Sequence, residues 1–423
     1  MIQKPRGTID ILPSDSTKWQ YIEETIRNIC KSYGYGEIRV PTFESTELFQ
    51  RGVGDTTDVV QKEMYTFTVP QDKDKKSLTL RPEGTANTMR SIIENSLYGD
   101  ALPLKVYYIM TCFRYESPQT GRSREYYTFG IEQIGSTSPI VDGEVISLAD
   151  ALFKKLGIRD VTLNINSIGC PKDDCRPNYH RILKEYLADK YNDLCDTCKS
   201  RFERNPARTL DCKSDICKNI VAGAPKSKDY LCDECSDHFE KLKIYLKAAG
   251  IGFTINPLIV RGLDYYTKTV FEFISNDIGS LGTIVGGGRY DGLSELIGGP
   301  KLPGIGFGMG MGRLIMAAEN GGKVFPERAK PEIYIASFAD TREAAAALVR
   351  KLRDNNIYAE TDNMERSLKA QMKYADKIGA EYVYVIGGNE VAERTAVLKN
   401  MRTAEREEVG FDGLAGKLRE IKK

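Results

Sequence analysis

The chain has 423 residues, enough for two or three domains with full hydrophobic cores. Its 60 Lys+Arg stand against 59 Asp+Glu, a net charge of +1, so any nucleic-acid partner must be met by a local patch and not by a global positive field. With 41% hydrophobic and 28% charged residues, and no uninterrupted apolar run of about 18, membrane insertion is excluded. The opening MIQKPRGTIDILP is broken by charge and proline where a secretory signal carries an apolar block, which predicts a cytoplasmic protein.

After Pro13, Ser14 or Ser16 is placed to cap a helix in which Trp19, Ile22, Ile26 and Ile29 recur every three or four residues. The run Tyr33 to Gly36 ends it, and Glu37 to Pro41 reads as a short strand whose proline belongs at an edge or an interface. Lys105 to Phe113 and Tyr126 to Ile134 are strand-like and enclose a polar, turn-prone segment, which predicts a long antiparallel hairpin. Val141 to Leu156 has helical spacing, and Val161 to Ile165 reads as a strand. From about Cys170 to Gly250 the sequence turns polar, cysteine-rich and helical in patches, the signature of an inserted module, taken as residues 171–250. Strand-like runs resume at Pro257 to Val260, Thr269 to Ile274 and Leu281 to Val285, and the glycine-dense Gly304 to Gly312 leads into a helix near Met311. The flanking runs therefore predict one mostly antiparallel sheet interrupted by the insert, within a first domain of residues 1–325. Beyond the linker-like Pro326 to Pro331, strands at Ile333 to Phe338, Ile357 to Glu360 and Tyr382 to Ile386 alternate with helices at Glu343 to Arg353 and Ser367 to Ile378. That alternation predicts a separate α/β domain, residues 331–423, with a parallel-containing sheet covered on both faces.

No Walker A sequence and no Gly-x-Gly-x-x-Gly fingerprint is present, and the two histidines, His180 and His238, fall in the insert. Chemistry must rest on arginines and carboxylates. Thr79-Leu80-Arg81-Pro82-Glu83-Gly84-Thr85 leaves the Glu83 carboxylate at a helix start, where it can receive an ammonium group or serve merely as a helix-start acid. Arg114 and Glu116 close one hairpin strand, Gln119, Arg122 and Arg124 lie in the loop, and Glu132 returns on the other strand. Guanidinium groups suit phosphate oxygens because they present paired donors in a fixed plane, although loop arginines are more often simply solvated. The third set is Arg261-Gly262-Leu263-Asp264-Tyr265-Tyr266-Thr267, Gly286-Gly287-Gly288-Arg289-Tyr290-Asp291-Gly292 and Gly310-Met311-Gly312-Arg313. Among the ten cysteines, Cys195-x-x-Cys198 and Cys232-x-x-Cys235 form two knuckles that together make a four-sulfur structural zinc site, with Cys212 and Cys217 as competing ligands and free buried thiols as the alternative.

Together these motifs resemble the bacterial histidyl-tRNA synthetases, a family of class II aminoacyl-tRNA synthetases. The resemblance runs from Arg6-Gly7-Thr8-Ile9-Asp10-Ile11-Leu12-Pro13 through Tyr35 to Pro41, Phe113 to Glu132 and Gly304 to Leu314, which look like class II motifs 1, 2 and 3. It implies an α+β catalytic domain with a six-stranded antiparallel sheet, a mainly helical insertion and a C-terminal α/β anticodon-binding domain. It also implies a homodimer, ATP with Mg2+, L-histidine and tRNA(His) as substrates and partner, and histidyl transfer to the tRNA 3′ end after adenylate formation. By resemblance Arg114 and Arg261 face the α-phosphate, Arg261 also nears the histidine carboxylate, and Arg313 holds the γ-phosphate, with Glu116 and Arg122 also at ATP. Glu83 takes the α-amino group and Glu132 with Tyr266 the imidazole nitrogens, while Thr85, Tyr265 and Tyr290 line the histidine pocket. Gln119 lies toward the tRNA acceptor end. Thr128 stands where the family usually carries a glutamine, a departure that removes a direct ligand for the amino group. The rival is the noncatalytic, histidine-sensing regulatory paralogue of ATP phosphoribosyltransferase; it predicts loss of the ATP arginines and of the last domain, and Arg114, Arg261, Arg313 and residues 331–423 are all present.

Overall fold

The computed structural model describes residues 1–423 except 56, 71–74, 120, 213, 276, 277, 279–281, 422 and 423. The chain divides into two compact units, Met1–Pro326 and Glu327–Lys423. The first unit carries strands β1 (Gly36–Glu37), β2 (Phe43–Ser45), β3 (Tyr65–Thr68), β4 (Ser77–Leu80), β5 (Leu104–Phe113), β6 (Glu125–Ile134), β7 (Val161–Ser167), β8 (Thr254–Ile255), β9 (Thr267–Ser275), β10 (Thr283–Arg289) and β11 (Gly304–Gly310).

Eight of these form one sheet in the order β1-β5-β6-β11-β10-β9-β7-β8. The inner six pair antiparallel, and the two-residue β1 and β8 run parallel to β5 and β7 at the edges. The expected hairpin is in place, registered from Leu104 opposite Ile134 to Phe113 opposite Glu125. Pro257 to Val260 forms no strand: the ladder ends where Asn256 N–H donates to Ile165 O, and Pro257 has no N–H with which to continue it. Leu281, the first residue of another expected strand, lies outside the described residues; β10 is described from Thr283. A second, three-stranded sheet of order β2-β4-β3, absent from the sequence reading, precedes the helix Thr85–Glu94.

Side chains alternate across a sheet, and here the alternation divides core from site. Phe129, Ile131, Ile305, Phe307, Met309, Phe271 and Phe273 bury one face beneath the helices Ser16–Ser32, Pro139–Leu156 and Asp233–Ala248. The helix Ser16–Ser32 buries Ile22, Ile26 and Ile29 as its spacing predicts, but neither serine caps it through a side chain; Ser16 Oγ donates to Pro13 O. The stretch between β7 and β8 is helical, with its own core of Tyr179, Leu183, Leu187, Phe202 and Val221. Its last helix, Asp233–Ala248, also contributes Phe239, Leu242 and Leu246 to the main core, so it belongs to both.

The second unit holds β12 (Ile333–Ser337), β13 (Ala359–Thr361), β14 (Tyr382–Ile386), β15 (Thr395–Asn400) and β16 (Arg406–Gly410), in the order β13-β12-β14-β15-β16. β12 pairs parallel with β13 and β14, and the last two strands add an antiparallel edge. Cores lie on both faces, one around Ile333, Ile335 and Tyr384 and the other around Tyr334, Ala336 and Val383.

Candidate active site

The face of the large sheet opposite its core is floored by glycine. In register across the strands run Tyr108, Gly130, Gly308, Gly286 and Glu272, and beside them Val106, Glu132, Gly306, Gly288 and Val270. A Cβ on Gly306 would lie 1.9 Å from Glu132 Oε2, and one on Gly286 would lie 2.0 Å from an Arg261 terminal nitrogen. On Gly130 it would meet the Tyr108 ring at 2.3 Å, and on Gly304 the Tyr290 ring at the same distance. The glycines thus let large polar side chains lie flat on the sheet. Among the described residues the nearest atom around Gly308 is Thr128 Oγ1 at 4.0 Å and nothing lies within 4 Å around Gly310, so they leave this end of β11 open.

Two buried acids stand on this floor. Glu132 accepts the Tyr108 hydroxyl at 3.0 Å and, on its other oxygen, a short hydrogen bond from Tyr290. Burial is the main force on it and pushes its pKa up to about 8, against the hydroxyls that hold it down. Glu83 is also raised by burial and partly restored by the N–H groups of Ala86 and Thr85, which donate to its carboxylate at 2.8 and 2.7 Å. These bonds seat Glu83 at the start of the helix Thr85–Glu94, and a carboxylate with two N–H partners still has lone pairs for an ammonium group. Thr85 helps to hold both acids down, and the two carboxylates are near enough to raise Glu132 further. Tyr265 meets Tyr266 at a tilt of 53° with ring centroids 4.7 Å apart and Tyr290 edge-on at 5.7 Å, closing an aromatic wall.

Arginines ring the acids. Arg261 lies with its guanidinium 5.8 Å from the Tyr266 ring centre and is ion-paired with Glu272; its buried Nε has no hydrogen-bond partner among the described residues. Arg114 donates from Nε to Pro82 O at 2.7 Å, beside Glu83, and packs on Tyr126. Farther out, Arg122 pairs with Glu116 at 3.3 Å. Arg313 donates to the carbonyls of Gly121 at 3.0 Å and Thr283 at 2.7 Å, and burial and the neighbouring Arg122 both lower its proton affinity. Such neighbouring cations favour an anion between them. Each charge feels the next along the series Arg261, Tyr266, Glu132, Glu83, Arg114, Glu63 and Glu116, and Arg313 feels both Glu116 and Arg122. Gln119 stands at the exposed turn, its backbone bridged to Arg122.

Buried acids and phenols beside arginines offer partners to a ligand that carries both cationic and anionic groups. The histidyl-tRNA synthetase family profile matches residues 7–314, and an anticodon binding domain profile matches residues 332–421. The chain belongs to the histidyl-tRNA synthetase family. It is 53% identical over 420 residues to the histidine–tRNA ligase of Acetivibrio thermocellus, covering 99% of this chain and 100% of that one. With the histidine–tRNA ligase of Caldanaerobacter subterraneus it shares 52% identity, covering 97% and 98%. The crystal structure of apo histidyl-tRNA synthetase from S. aureus superposes with a TM-score of 0.82 at 37% identity, covering 99% and 100%.

Within this family fold, Thr128 is buried and its hydroxyl donates to Met309 O at 3.1 Å, so it is spent on the sheet. Tyr108 was missed by the sequence reading; its signal is the hairpin register, which puts it on the same face as Glu132 and opposite Gly130. The expected metal quartet of Cys195, Cys198, Cys232 and Cys235 is not assembled. Cys195 and Cys198 gather with Cys212 and Cys217, whereas Cys232 and Cys235 gather with Cys170 and Cys175. The physical reason is that the knuckles open two different helices, Asp196–Arg204 and Asp233–Ala248, the second of which is anchored in the main core.

Proposed function

We propose that the chain activates L-histidine with ATP to histidyl-adenylate and pyrophosphate, then transfers histidine to the 3′ end of tRNA(His), releasing AMP. The observation that carries this reading is the juxtaposition of two buried acids and three phenols with Arg114 and Arg261 over a glycine floor. Glu83 takes the substrate ammonium. Glu132 and Tyr266 pair with the two imidazole nitrogens, with Thr85, Tyr265 and Tyr290 as the surrounding wall. A pocket that must leave both polar partners unmatched rejects an apolar isostere strongly.

The histidine carboxylate is already ionised, so its attack on the α-phosphorus needs no base. The chain's work is to hold the nucleophile in line and to neutralise charge spreading over the phosphate oxygens. Arg114 and Arg261 serve the α-phosphate, Arg313 the γ-phosphate, and Arg122 with Glu116 the outer nucleotide, the open end of β11 leaving room for it. Mg2+, when bound with ATP, supplies further charge neutralisation through phosphate and carboxylate oxygens. Glu116 and Glu63 are the acids that suit it, since Glu63 is raised by burial and by the Glu116 charge and gains from a cation. Gln119, at the exposed turn, faces the acceptor end of tRNA.

The unit Glu327–Lys423 reads the anticodon region through local contacts, because acidic and basic residues balance within 331–423. In this reading the chain works as a cytoplasmic homodimer that meets its copy along the edge carrying β1, and among the described residues no helix is long and apolar enough to cross a membrane. Structural zinc supports the insert and stands outside the chemistry. Pyrophosphate exchange measured with each amino acid in turn tests the whole reading: exchange with histidine alone is expected, and equal exchange with another amino acid, or none with histidine, overturns it.

A further inference from the structure

We infer that the insert binds two zinc ions in separate, nested four-thiolate sites, and that together they hold the segment Arg261–Thr267 against the sheet. The outer site is Cys170, Cys175, Cys232 and Cys235; the inner one is Cys195, Cys198, Cys212 and Cys217. In each quartet all four sulfurs lie within 4.8 Å of one another. Zinc–thiolate bonds of about 2.3 Å place the sulfurs of a tetrahedron about 3.8 Å apart. Cys170 and Cys232 Sγ are 3.8 Å apart, and Cys195 and Cys212 Sγ are 3.7 Å apart. A disulfide would require about 2.05 Å.

The two sites share one construction. Each joins a Cys-x-x-Cys knuckle to a Cys-x4-Cys pair: Cys170 with Cys175 outside, Cys212 with Cys217 inside. Each knuckle opens a helix, with Cys195 and Cys232 at the cap positions, where the helix dipole favours thiolate. Backbone N–H groups already point at the sulfurs: those of Cys170 and Cys232 toward Cys175 Sγ and that of Cys195 toward Cys217 Sγ, each at 3.4 Å. Eight cysteines that sort into two such quartets, with amide donors on the sulfurs, are built for a soft tetrahedral ion.

Their placement gives the ions a consequence beyond folding. Next to Cys175, Arg176 donates to Tyr266 O at 2.6 Å. Inside the outer knuckle Glu234 pairs with Lys268 at 2.8 Å, and Lys268 N–H donates to Gly169 O, beside Cys170, at 2.8 Å. Between the two halves of the inner site, Asn205 Nδ2 donates to Asp264 Oδ1 at 3.3 Å, and Arg208 donates to Gly262 O. The insert therefore grips Gly262, Asp264, Tyr266 and Lys268 from residues set by the two metals. This positioning role rests on the histidine-activating reading; the metal count does not.

Elemental analysis and native mass spectrometry of the full chain, purified reduced and without chelator, should find two zinc ions per chain. Zero or one ion, iron in their place, or a mass deficit from paired disulfides overturns the inference. The double variant Cys195→Ser/Cys198→Ser should retain one ion, as should Cys232→Ser/Cys235→Ser; to separate ion loss from misfolding, cobalt reconstitution of wild-type chain serves as the second measurement. Thiolate-to-cobalt absorption should grow linearly to two equivalents, and saturation at one refutes the paired sites. Stripping the ions from wild-type enzyme should raise the histidine KM on the order of ten-fold with little change in the ATP KM, and zinc should restore it. An equal loss for both substrates refutes the positioning role, whereas a chain with two zinc ions and no histidine-dependent exchange would instead sink the functional reading.

Discussion

Glu132→Gln should stabilise the larger unit in a strongly pH-dependent way while removing histidine activation. Burial lifts Glu132 from 4.5 to about 8, so between those values the folded chain keeps a proton that the unfolded chain has released. Wild-type stability therefore falls as pH rises through that window, by about 1.4 kcal/mol per unit, and levels off above the folded value. From pH 6 to pH 9 the group crosses about two units of the window, a loss of roughly 3 kcal/mol. Glutamine keeps the shape, accepts one of the Tyr108 and Tyr290 hydroxyls on its oxygen and donates from its NH2 to the other, yet titrates nowhere. The single tryptophan, Trp19, packs edge-on against Tyr127 in the larger unit at 4.9 Å, so its fluorescence in urea follows that unit. The unfolding free energy of the variant minus that of wild type should grow by roughly 3 kcal/mol between pH 6 and pH 9, all other titrating groups cancelling. A difference that stays constant with pH would refute the buried-acid argument. Pyrophosphate exchange by the same variant should fall on the order of 10²-fold or more, since the pocket then presents an amide where the imidazole requires an acid.

Arg261→Ala should leave the fold intact but cut adenylate formation on the order of 10²–10³-fold, as for loss of a transition-state donor; wild-type exchange by this variant would remove Arg261 from the chemistry. Gly286→Ala should imitate it without touching the arginine, because the new methyl lands 2.0 Å from the Arg261 guanidinium, whose flexible end must move; unchanged kinetics would show that the position of Arg261 is immaterial. Thr128→Val should cost about 1 kcal/mol in urea unfolding, one hydrogen bond to Met309 O, and leave the histidine KM unchanged; a raised KM would make the hydroxyl a substrate ligand. Asp142→Asn should destabilise the larger unit by about 3 kcal/mol, because the buried Arg289 loses its fully buried charge partner and keeps only the partly exposed Asp291; a loss below 1 kcal/mol, roughly, would contradict that pairing.

Much of the candidate site was legible because its residues cluster in short motifs whose chemistry is unusual in combination: Glu83 at a helix start, Arg261 before paired tyrosines, glycines alternating on β11. The helix Ser16–Ser32 and the hairpin β5–β6 were legible because their periodicities are strong and uninterrupted. The sheet β2-β4-β3 was not, since its strands have only three or four residues and little alternation to detect. Cys170 and Cys175 were passed over as ligands because their partners Cys232 and Cys235 come from the far end of the insert, a closure that no local spacing encodes. The repeated Cys-x4-Cys is the one cue that could have paired them.

The stretch Gly286 to Gly292 shows why a motif cannot be read as a list of ligands. Gly286, Gly288 and Tyr290 serve the site: two clear space for Arg261 and Tyr266, and the third bonds Glu132. Arg289 is fully buried and donates to Asp142 at 2.8 Å, Asp291 at 2.9 Å and the carbonyls of Ser136 and Ser138. Burial alone would raise Asp142, but Arg289 and His238, 2.8 Å from its other oxygen, more than offset it and hold its pKa below the usual value. His238 lies on the helix that the outer cysteine knuckle opens, so this network ties the helix Pro139–Leu156, the end of β10 and the insert together behind the pocket. The arginine of the motif is therefore a fold residue, set where the register of β10 shifts between Gly288 and Arg289. The phenol that follows it reaches the buried acid, and what fixes that reach is the anchored guanidinium one residue earlier.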